Sequence, residues 1–89
     1  MPNSTEFLIE NDCTSDISIW VEPWAHPVPL SPGEEIVVRD VYRKSSVTVR
    51  VSTDDAGSPM LSIWPGDGDT VVTKNGQDVV DWLRTRSAQ

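Results

Sequence analysis

Eighty-nine residues leave room for one domain, and 14 acidic against 7 basic side chains give a formal charge of −7. That balance argues against nucleic acid or an anionic membrane as partner, because both are held by neutralising negative charge, and the best basic patch (Arg39, Arg43, Lys44, Arg50) has Asp40 inside it. One cysteine, Cys13, and one histidine, His26, exclude an internal disulfide, a CxxC site and a zinc site built from nitrogen and sulfur ligands.

The chain opens on a polar segment, Met1-Pro-Asn-Ser-Thr-Glu6, with neither a basic start nor an apolar run. No stretch approaches the roughly 20 apolar residues of a membrane helix, so the expected location is the cytoplasm. Apolar residues then alternate with period two, the pattern of half-buried strands. Phe7 and Ile9 alternate with Glu6 and Glu10. Ile17, Ile19 and Val21 share one face, with Ser18, Trp20 and Glu22 on the other. Ile36 and Val38 line a third segment, and Val47, Val49 and Val51 a fourth, with Thr48 and Arg50 pointing the opposite way. Met60–Trp64 and Thr70–Thr73 supply two more. Ile19, Val21, Val47, Val49 and Val51 are the expected core.

The connections carry turn chemistry. Ser31-Pro-Gly-Glu34 suits a type II turn, and Asn75-Gly76 suits the type I′ turn of a hairpin. Beyond it, residues 78–84 fit either a strand returning as far as about Trp82, the preferred reading, or a short helix capped by Asp78. Residues 85–89 are expected to fray, leaving 1–84 as a single domain. The whole reads as an all-β fold, a small antiparallel sandwich or barrel of about six to eight short strands. Ser18-Ile-Trp20 recurs as Ser62-Ile-Trp64, but the flanking residues do not align, and the echo reads as coincidence.

Four of the seven prolines fall between positions 23 and 32, so this stretch cannot be a central strand and must be an edge, a corner or an extended loop. It also holds Trp24 and His26. Trp24 reads first as a plug for one end of the core; the functional alternative makes Trp24, His26, Pro27 and the preceding Glu22 a candidate interaction surface. Trp20-Val-Glu-Pro-Trp24, a short spacer and Leu30-Ser-Pro-Gly-Glu34 together resemble a family of small, uncharacterised bacterial β proteins in which a Glu-Pro-Trp corner precedes a Pro-Gly-Glu turn. The resemblance covers roughly positions 17–38 and carries no activity with it.

No catalytic residue is assigned. A Gly-x-Ser-x-Gly elbow is absent, and one histidine would have to serve every role. Acidic pairs at Asp54-Asp55 and Asp67-Gly-Asp69 offer oxygen ligands for calcium, but their spacing matches no calcium loop, and aspartates in turns usually bond their own backbone. The expectation is a non-enzymatic domain, without metal or cofactor, acting by protein contact or self-association. The alternative is a small-ligand or carbohydrate-binding module with Trp24, Trp64 or Trp82 as platforms, with calcium as a possible aid.

Overall fold

The alternating segments become eight strands: β1 Asn3–Glu10, β2 Ile17–Val21, β3 His26–Leu30, β4 Glu35–Tyr42, β5 Thr48–Thr53, β6 Pro59–Trp64, β7 Asp69–Lys74 and β8 Gln77–Asp78. The structure, a computed structural model, describes residues 2–22 and 26–79, with His26 described by its backbone alone. The fold is all-β, with two four-stranded sheets packed together as a small sandwich. One sheet runs β1-β4-β7-β8 and the other β3-β2-β6-β5.

Among the described residues every pairing is antiparallel but one: β2 and β6 run parallel. The chain leaves the second sheet after β3, crosses to the first for β4 and returns as β5. The β5–β6 hairpin then lays β6 beside β2, so the parallel pair needs no helix between its strands. The proline-rich segment supplies β3, an edge strand, as the missing donors require.

The core lies between the sheets, where Ile17, Ile19, Val21, Leu30, Ile36, Val38, Ile63, Val72 and Val79 are buried. Val47 and Val49 are half-buried against it. Val51 corrects the sequence-based expectation, being 75 % exposed. It sits on an edge strand opposite Leu61, two residues nearer the hairpin tip than Val49, with a neighbouring strand on one side only. At the carboxyl end the described pairing runs to Asp78 and Val79 is buried, while the rest of the 78–84 segment, read as strand or helix, lies outside the described residues.

The turns follow their residues. Glu34 N–H donates to the Ser31 carbonyl at 2.9 Å across Pro32-Gly33, with Gly33 at φ 83°. Asn75 and Gly76 both take positive φ (53° and 79°), as the type I′ hairpin between β7 and β8 demands.

Two buried polar side chains tie the sheets where the chain crosses between them. Asp40, on β4, is 1 % exposed; its carboxylate accepts from Val47 N–H and from the Thr70 hydroxyl, each at 2.8 Å. Asn11, also 1 % exposed, donates to the carbonyls of Leu30 (2.7 Å) and Ser15 (3.0 Å) and accepts from Cys13 N–H (2.8 Å). Its backbone is engaged too, donating to Glu34 O and accepting from Gly33 N–H. Buried polar groups are tolerated only when satisfied, and both are.

Asp40→Ala should therefore lower the unfolding free energy by roughly 1–3 kcal/mol in urea, because Val47 N–H loses its buried partner. Arg39→Ala, which breaks only the exposed Arg39–Glu6 ion pair, should cost well under about 1 kcal/mol. Equal effects would show that Asp40 is not a clamp.

Candidate functional site

Side chains alternate across a strand, so burying Ile17, Ile19 and Val21 turns Ser18 and Trp20 outward. The pairing registers extend that outer face across the whole sheet. Trp20 stands opposite Pro27 on β3 and Ser62 on β6, and Ser62 stands opposite Arg50 on β5. A second row runs Pro29, Ser18, Met60, Ser52, and Trp64 with Thr48 begins a third.

Trp64 is 42 % exposed, and the Arg50 guanidinium lies 5.6 Å from its ring centroid, within cation–π range. The contact is the diagonal one expected of β5 and β6 neighbours. Trp20 is half-buried, with the rigid Pro27 ring as its cross-strand neighbour. Among the described residues of these rows the charged side chains are Arg50 and, beside Trp64, Glu22. The outer face of the other sheet differs: Glu6, Glu10, Glu35, Arg39 and Asp69 lie among Leu8, Val37, Val41 and Val71.

Of the interaction residues expected from sequence, Trp24 and the His26 side chain lie outside the described residues. Pro27 is exposed on this face, and half-buried Glu22 follows β2 directly, its N–H donating to Ile63 O at 2.9 Å. The face therefore gathers two of the four expected residues and adds Trp20 and Arg50, which the sequence reading did not select. Its signal was the repeated Ser-Ile-Trp. The two copies occupy neighbouring strands, offset by two residues, and both present tryptophan outward.

A cleft of about 280 Å³ opens between β3 and the β7–β8 hairpin, lined by Pro27, Val28, Pro29 and residues 74–79 apart from Gly76. The cation at its edge, Lys74, is engaged, donating to Pro29 O at 2.7 Å and pairing with Glu34 at 3.2 Å. That ion pair and the Ser31 N–H lower the Glu34 carboxyl pKa, the backbone hydrogen bond contributing most.

The acidic loops bind backbone. Asp54 accepts from the N–H groups of Ala56 and Ser58, each at 2.9 Å. Asp67 accepts from Arg43 (2.9 Å), Lys44 (2.8 Å) and Ser45 (3.1 Å). Gly66 and Gly68 flank it because the backbone passes too close for a side chain: a Cβ would lie 1.8 Å from Ser45 O and 1.7 Å from Val41 O, respectively. Among the described residues, no three His, Cys, Asp or Glu side chains form a group able to hold a metal ion, and no helix is long and apolar enough to cross a membrane.

No family model, curated protein or solved structure matches this chain. The case for function therefore rests on the geometry.

Three backbone donors hold the Asp67 carboxyl below its ordinary pKa of 3.8. A depressed carboxyl pKa contributes stability that is full above the unfolded value and is lost as pH falls through the folded one. Asp67→Ala should thus melt below the wild type at pH 7, and the gap should close as the pH drops below about 4. A gap of constant size down to pH 2 would show that the charge is not what the loop uses.

Proposed function

We propose that this domain is a non-enzymatic recognition module that binds a protein segment on the outer face of the β3-β2-β6-β5 sheet. One observation carries the reading: this face sets two tryptophans, a methionine, an arginine and the Pro27 ring side by side, with Glu22 as the one carboxylate next to them in the described rows. Interface cores are depleted of charge and enriched in tryptophan, methionine and arginine, the composition found here. Pro27 and Trp20 offer a stiff apolar shelf that loses little entropy on binding. Arg50, presented on the Trp64 ring, offers its donors to a carbonyl or carboxylate of the partner.

Carbohydrate platforms work through open ring faces. One face of Trp64 is taken by Arg50, and Trp20 is half-buried beside Pro27. This favours a protein partner over a sugar. The cytoplasm suits an exposed free thiol such as Cys13, because a reducing compartment keeps it unpaired.

Selection of peptides from a random displayed library against the whole chain, with an oligosaccharide array in parallel, tests the reading. Selected peptides should bind, and Trp64→Ala and Arg50→Glu should each weaken them by about tenfold or more, the scale of a hot spot, with melting temperatures near the wild type. Oligosaccharide binding without peptide binding, or peptides indifferent to both substitutions, would overturn it.

A further inference from the structure

The four sheet edges are not equivalent. On β3, Pro27 and Pro29 have no N–H to offer, and the Pro29 carbonyl is capped by Lys74. β8 is two residues long. β1 and β5 remain, and the hydrogen-bond pattern shows which groups each leaves unpaired.

Asp54 N–H donates to Ser58 O at 2.9 Å, one step beyond the Thr53–Pro59 pair, where Pro59 cannot donate. Hydrogen-bonded and non-hydrogen-bonded pairs alternate along an antiparallel ladder. The bonded pairs are therefore Ser52–Met60, Arg50–Ser62 and Thr48–Trp64, and the N–H and C=O groups of Val49, Val51 and Thr53 point away from β6 at the free edge.

We infer that β5 is a dimerisation edge, taken by β5 of a second copy of this chain, antiparallel, on a two-fold axis through Val51. In that register Val51 meets its own counterpart, and Val49 meets the partner's Thr53. Every outward donor and acceptor of the strand is then paired, and the 75 % exposed Val51 is covered by its twin. Arg50 falls opposite Ser52, with Asp54 and Arg50 of the other copy as its two diagonal neighbours. Moving the axis to Arg50 would set arginine against arginine and leave Thr53 unpaired.

The same reasoning disfavours β1. Asn11 N–H to Glu34 O continues the β1–β4 ladder, so the outward groups belong to Glu6, Leu8 and Glu10 among others. A two-fold through the exposed Leu8 would put Glu6 directly against Glu10 of its partner, a repulsive pair. The β5 dimer joins the outer faces of both copies into one continuous surface, which goes beyond the single-chain recognition reading and does not depend on it.

Sedimentation velocity of the whole chain from micromolar to millimolar concentration tests the inference. The wild type should pass from monomer to dimer. Val51→Pro removes an edge donor without touching the ladder to β6, and Val51→Lys sets like charges on the axis; each should weaken dimerisation by at least about tenfold. Leu8→Pro, the matching change on β1, should leave it intact. If Val51→Pro does not fold, Val51→Lys decides. A wild type that stays monomeric, a Val51→Lys variant that dimerises like the wild type, or loss of the dimer in Leu8→Pro would each overturn the proposal.

Discussion

The buried Asp40 carboxylate is the contact on which the arrangement turns. A domain this size hides a modest fraction of its surface, and its small aliphatic core does not by itself select one way of crossing between sheets. Asp40 does. It sits on β4 of one sheet, takes the β7 hydroxyl of Thr70, and takes the N–H of Val47, the residue that leads into β5 of the other sheet. A buried carboxyl group must have its partners, so any crossing that moves Val47 away leaves one of its oxygens without a donor. Asn11 does the same for the end of β1, the entrance to β2 and the end of β3. Asp67 holds the β4–β5 link from outside, through three backbone donors. Fixing that crossover fixes where β5 begins, and with it the register that puts Arg50 beside Trp64.

Much of this was legible in the sequence. Period-two alternation located most of the strands and assigned the outward faces of Trp20, Thr48 and Arg50 before any coordinates, because strand geometry leaves no other option. Pro-Gly and Asn-Gly placed two turns for an equally local reason. Val51 was misplaced since alternation gives the face a side chain points to, not whether anything lies opposite. The burial of Asp40 and Asn11 was not legible, because burial of a polar group depends on partners distant in the chain: Thr70 for one, Leu30 for the other. The outer face of the β3-β2-β6-β5 sheet was half visible. Its residues are spread over four strands, and only the parallel β2–β6 pairing turns two separate Ser-Ile-Trp triplets into neighbours.

The proline-rich segment was read as an edge, a corner or an extended loop, and its described part is an edge strand. In the sheet, Pro27 and Pro29 occupy the two positions of β3 whose N–H groups would face solvent, since their partners Trp20 and Ser18 form the non-bonded pairs of the β2–β3 ladder. The prolines therefore close an edge without weakening the ladder, and Lys74 covers a carbonyl they leave open. The same rings, seen from the outer face, stiffen the shelf beside Trp20. One substitution pattern thus serves protection on the edge and presentation on the face.

Edge protection also gives meaning to the edge that lacks it. An acidic chain has simple ways to blunt a strand: glutamates flank the free side of β1, and β8 is cut short. Neither device is present on β5, whose outward backbone groups are framed by valine and threonine. The cost is plain, because Val51 is held in strand geometry with a neighbouring strand on one side only and 75 % of its surface exposed. An edge left open while another edge of the same sheet is closed by two prolines and a lysine is an asymmetry that solubility alone does not explain. Under the pairing inferred above the asymmetry has a use: a strand kept for a partner must remain unblocked and able to donate, and the outward groups of Val49, Val51 and Thr53 are both.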